Sequence, residues 1–185
     1  MHIPTHLMLS WVVGHRLTTR RDRALIVWAG LAPDLDGLSL IAGADAYGRW
    51  HHVLTHGLFA GVLVGTLLAW SGKDRVKVWW LSLCAFHLHL ACDLLGSGVG
   101  WPIQYLWPFS ETLYATPYGW ELDSWQNWAV ALIAIVICGH IAVRHGYSFA
   151  ETFLPRAADC AIVTALRQRF ASRGRRSLSR VSHLG

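Results

Sequence analysis

The chain has 185 residues, of which 54% are hydrophobic and only 15% charged, and its net charge is +5 at pH 7. That length suits one domain, and the composition argues against an ordinary soluble protein and for a membrane one. The four cysteines, Cys84, Cys92, Cys138 and Cys160, contain no Cys-x-x-Cys pair. They exclude a disulfide framework or a thiolate metal site and read as small packing residues.

The opening stretch MHIPTHLMLSWVVGH has neither the basic start nor the small-residue cleavage site of a secretory signal, so no cleaved leader is expected. Thr5–Leu17 and Ala24–Pro33 flank the basic loop RLTTRRDR, and each is too short to cross a bilayer alone. Val53–Trp70 and Val78–Leu95 are predicted to form a helical hairpin around the polar turn SGKDRVK. Gly96–Ser124 lacks Lys and Arg and reads as an ordered loop or a pair of short segments.

Trp125–Val143 is the clearest transmembrane helix. Ser148–Phe170 is predicted as an amphipathic surface helix, with Pro155 either kinking it or marking its true start. From 171 to 185 the chain reads as a basic, disordered tail. Many of the eleven Trp fall at the ends of apolar runs, as in an interfacial aromatic belt.

The predicted fold is therefore an all-α integral membrane bundle. It has short N-terminal helices, about three full transmembrane helices and a C-terminal surface helix. Its predicted parts are a membrane-embedded domain at 1–147, the surface helix at 148–170 and the tail at 171–185. Lys and Arg placement puts Arg16–Arg23, the Lys73–Lys77 turn and everything after Arg144 in the cytoplasm, and Gly96–Ser124 outside. Membrane lipids are the expected surroundings. The basic tail has no interleaved aromatics, so no nucleic-acid partner is expected.

Ligand-type residues interrupt these apolar runs, where ionisable groups are costly and point to function. His89 and Asp93 are four apart and share a helix face, a spacing that serves either one bound ion or a buried His–Asp hydrogen bond. Asp34 and Asp36 flank Leu35 in a turn after Pro33, which reads either as a carboxylate pair aimed at a pocket or as a helix cap. His51, His52 and His56 open the third apolar run, and His6 lies near the first helix start. The charge topology brings all of these to the outer side. We take His6, Asp34, Asp36, His51, His56, His89 and Asp93 as the candidate metal ligands, with Asp36 either a ligand or the base that accepts a proton from water. Imidazole and carboxylate ligands suit zinc or a similar divalent ion.

The order of these motifs resembles the membrane-bound metal-dependent hydrolase family related to the LexA-regulated YdjM proteins. The motifs are His6, PDLD at Pro33–Asp36, HHVLTH at His51–His56, His89 with Asp93, and Trp107–Pro108. Family members carry Arg after the first histidine of the third motif and Ser after its last; here these are His52 and Gly57. The order is also similar, more distantly, to zinc-dependent phospholipase C and related zinc nucleases. These resemblances imply metal-assisted hydrolysis, with a phosphoester on a small molecule or a lipid as substrate. The residues also allow a metal or proton carrier, or a non-catalytic scaffold locked by an ion.

Overall fold

A computed structural model describes residues 1–181, with side chains through Phe170. The described residues form seven α-helices and no strand. These are α1 (Ile3–Gly14), α2 (Arg20–Leu31), α3 (Ala44–Trp50), α4 (Leu58–Ser71), α5 (Arg75–Gly96), α6 (Trp125–His145) and α7 (Arg156–Val181). Two 3-10 segments, Ala32–Ala42 and Phe149–Thr152, complete the order. The chain divides into two compact units, Met1–Ala134 and Ile135–Gly185, and the division falls within α6. The side chains of the expected basic tail lie outside the described residues.

Among the described residues, three segments are long and apolar enough to cross a membrane: Arg20–Ala42, Arg75–Gly96 and Trp125–His145. The all-α membrane class is as expected, but one span is a different segment. Ala24–Pro33 does not stop at Pro33, because α2 runs straight into the 3-10 segment. Pro33 occupies the first positions of that segment, where its missing N–H is harmless, and Ala32 before it stays in the right-handed helical region.

The run drawn as Val53–Trp70 is shorter than expected. Helix α4 starts only at Leu58 and has 14 residues. Ahead of it, His51–Gly57 forms an irregular turn in which His52 has φ 66°. The Leu58 N–H donates to the Tyr105 carbonyl at 2.8 Å, and a Cβ on Gly57 would come within 3.0 Å of the same oxygen. The turn is thus clamped by the Gly96–Ser124 loop, which carries an isolated antiparallel bridge between Ile103 and Tyr114.

Helices α2 and α5 lie side by side and parallel. At their starts the buried Asp22 accepts the Lys73 N–H on Oδ1 at 2.9 Å and the Asp74 N–H on Oδ2 at 3.2 Å. At their far ends the Gly30 carbonyl meets His89 Nδ1 at 2.7 Å. Helix α4 packs against α5 along Gly61 and Gly65, where small residues allow close approach; a Cβ on Gly61 would be 2.9 Å from the Phe86 ring. Asp22→Ala leaves two backbone N–H groups without their acceptor. We expect it to lower stability by about 1–3 kcal/mol, read as a lower melting temperature in detergent; an unchanged melt would mean the turn is held by other contacts.

In the second unit, the Ser148 N–H and hydroxyl donate to Asp159. Pro155 marks the true start of α7 rather than a kink in a longer helix.

Candidate metal centre

Four separate pieces of chain deliver the ligand-type residues to one place. The last turns of α5 present His89 and Asp93 on one face, as their spacing requires. The first turn of α1 brings His6, the 3-10 segment brings Asp34 and Asp36, and the His51–Gly57 turn brings His51 and His56. Asp93 Oδ2 lies 2.7 Å from His89 Nε2 and 3.5 Å from His56 Nε2. His89 Nε2 lies 3.5 Å from Asp34 Oδ1. Asp34, His56, His89 and Asp93 each place a ligand atom within 4.8 Å of those of the other three. His6 sits at the edge of this group, its ring stacked on His89 at 3.8 Å and its Nε2 3.1 Å from Asp93 Oδ1.

The tautomers follow from fixed acceptors. A carbonyl oxygen can only accept, so His89 Nδ1–H donates to Gly30. An ionised carboxylate can only accept, so His56 Nδ1–H donates to Asp36 Oδ2 at 2.9 Å and His51 Nδ1–H to Oδ1 at 2.7 Å. Rings held in this way turn the Nε2 atoms of His56 and His89 toward the Asp93 carboxylate. Asp93 Oδ1 is occupied, accepting from the Met1 amine at 2.6 Å and the Ser97 hydroxyl at 3.0 Å. Oδ2 is not. His6 Nε2, His56 Nε2, His89 Nε2, Asp34 Oδ2 and Asp93 Oδ2 are all buried, and none has a hydrogen-bond partner. With the imidazoles neutral, these clustered atoms repel one another unless a cation lies among them, and buried polar atoms without partners are rare in folded proteins. The donor set fits a divalent ion of the zinc type.

The structure separates the seven sequence candidates into two tiers. Asp36 stands behind the histidines rather than among the inner atoms, because His51 and His56 take its two oxygens and the Thr55 N–H also approaches Oδ2 at 3.4 Å. This is the orienting carboxylate usual behind metal-bound imidazoles. His51 joins Asp36 and His56 in a second, adjacent group and is not one of the four converging residues. Tyr47 stacks on the His51 ring at 4.5 Å, and burial together with the nearby Asp36, Asp34 and Asp93 carboxylates pushes its hydroxyl pKa up. Burial beside His56 pushes the His52 imidazole down to about 4. A pocket of about 440 Å³ opens above the cluster, with Asp34, Asp93, His51 and His52 among its polar lining.

Sequence reasoning missed the Gly30 carbonyl, Ser97 and the Met1 amine. Ser97 follows Asp93 by four residues at the C-terminal cap of α5, so helix spacing alone could have found it. The other two come from distant chain and leave no local signal.

Taken together, fold and site define an α-helical membrane protein with a buried His–Asp cluster at one end of its α2–α5 pair. The chain belongs to the YdjM inner membrane protein family, whose sequence model matches residues 1–169. It is integral to the membrane, on the evidence of that family and of its three membrane-length helices. The family match carries no hydrolase activity and no similarity to phospholipase C. Neither a curated protein nor a solved structure matches the chain.

Proposed function

We propose that the protein is a membrane-bound, metal-dependent hydrolase acting on a phosphoester carried by a lipid or lipid-linked substrate. The observation that carries this reading is the set of five buried ligand atoms on His6, Asp34, His56, His89 and Asp93, which face one another and have no hydrogen-bond partner outside the cluster. Asp34, His56, His89 and Asp93 would hold a divalent ion, zinc by the nature of the donors, with His6 at its edge. A bound ion of this kind lowers the pKa of water and polarises the scissile bond. Asp36 fixes the tautomer and direction of His56 and His51. Gly30 does the same for His89, and Ser97 holds Asp93. The pocket lets a substrate reach this cluster from one side while the helices keep the other sides dry.

The site belongs on the outer face in this reading. The basic residues at the starts of α2 and α5 gather at the opposite end of the pair, where Asp22 ties the two starts together. The C-terminal end then lies in the cytoplasm.

Metal analysis of protein purified without chelators should find about one divalent ion per chain, and release of phosphate or alcohol from a phosphoester lipid should depend on that ion. A wild-type protein free of divalent metal would overturn the reading. Asp36→Asn should weaken zinc binding by about 10–100-fold without abolishing it, the usual cost of losing an orienting partner. Competition with a zinc chelator measures this, and an affinity equal to wild type would remove Asp36 from its orienting role.

A further inference from the structure

The 3-10 segment Ala32–Ala42 advances three residues per turn, so residues three apart share a face. Leu35, Leu38 and Ile41 fall on one such face and are 52%, 61% and 87% exposed. Asp34 and Gly37 fall on the face that lines the pocket, and Asp36 points inward and is buried. Leu38 also lines the pocket, as do Ile3 and Leu122, each about half exposed. One turn back, Leu35 lines a second groove of about 260 Å³ between α2 and α4, with Trp28, Leu31, Val64 and Leu67. Leu38 borders the pocket and Leu35, one turn back on the same face, borders the groove, so one apolar stripe adjoins both. The 3-10 segment and α2 together form a membrane-length apolar stretch, so the groove lies where hydrocarbon is available.

We propose that the α2–α4 groove is a chain subsite, holding a hydrocarbon chain of the substrate while its phosphoester head reaches the His–Asp cluster. This rests on the phosphoester hydrolase reading above. The groove offers a chain nothing that the surrounding lipid does not, so its occupancy by substrate depends on the head being anchored. Head and chain bound in one molecule reinforce each other through effective concentration. Chain occupancy must therefore respond to the ion, and ordinary annular lipid would not.

The test uses full-length wild-type protein in phosphatidylcholine nanodiscs with a trace of phosphatidic acid bearing a photoreactive diazirine in its acyl chain, its phosphoester oxygen replaced by a methylene so that the head is not cleaved. Cross-links are mapped by mass spectrometry with zinc present, after chelation, and after zinc is restored. Labelling of Trp28, Leu35 and Leu67 should rise about tenfold or more with zinc. Labelling of the exposed Leu132 and Ile133 on α6 should not change. A diazirine diacylglycerol, which lacks the phosphate, should label the groove equally with and without zinc. Groove labelling by phosphatidic acid that ignores zinc, or a zinc response equally strong for diacylglycerol, would overturn the subsite. Zinc that binds and supports hydrolysis without moving the groove label would defeat this inference and leave the hydrolase reading standing, whereas a protein that binds no zinc would defeat both.

Discussion

Asp93→Asn should reduce the bound divalent ion from about one per chain to none detectable, while the protein still inserts into the membrane. Asp93 is the hub of the cluster. Its Oδ2 faces the Nε2 atoms of His56 and His89, and its Oδ1 is fixed by the Met1 amine and Ser97. An amide cannot supply two anionic oxygens. If its nitrogen took the Oδ2 position, it would point N–H donors at the place where a cation would sit. The loss should exceed the roughly 10–100-fold expected from removing an orienting partner such as Asp36, because a direct ligand and one negative charge go together. Hydrolysis should fall with the metal. Metal analysis beside a membrane-fractionation control decides the matter; unchanged metal content would remove Asp93 from the centre.

Gly30→Ala should be the most damaging of the small substitutions outside the cluster. A Cβ at Gly30 would lie 1.7 Å from Ser10 Oγ and 2.6 Å from Ser10 Cβ. Ser10 has little freedom to move, since its hydroxyl donates to the His6 carbonyl at 2.7 Å on the same helix. Relief therefore requires α1 and α2 to part, which costs about 1–3 kcal/mol for an overpacked core site. Parting them also shifts the Gly30 carbonyl that sets His89, so zinc affinity should drop together with stability. Adding Ser10→Gly to Gly30→Ala removes both close atoms and should recover most of the loss, a coupling that a double-mutant cycle measures in detergent melts. A Gly30→Ala protein with wild-type stability would refute the close approach of α1 and α2.

The ligand types, their helix spacing and their placement in apolar runs were legible because they are local. His89 and Asp93 show their shared face through a separation of four. The basic stretches around Arg20 and Arg75 mark one end of two helices, and that already gathers the candidates at the other end. The third membrane-length segment was harder to read. Pro33 signals a break, yet a proline at the start of a 3-10 turn breaks nothing. Conversely, the apolar run before α4 looks helical through His56, but the Tyr105 carbonyl and the tight fit at Gly57 keep that stretch in a turn.

By itself, then, the sequence determined an all-helical membrane chain and the residue types of its candidate site, because hydropathy, charge bias and residue type are properties of short stretches. Only the tertiary structure decided how the candidates divide. The PDLD motif offered Asp34 as a ligand and left Asp36, two residues away, as either a ligand or a base. In three dimensions the two residues lie two-thirds of a 3-10 turn apart, which points Asp34 into the pocket and buries Asp36 behind His51 and His56. Which nitrogen of each histidine faces the centre was likewise set from a distance, by the carbonyl of Gly30 on a neighbouring helix and by the Asp36 carboxylate. Tautomer and direction are fixed by the acceptor a ring meets, and that acceptor lies tens of residues away along the chain.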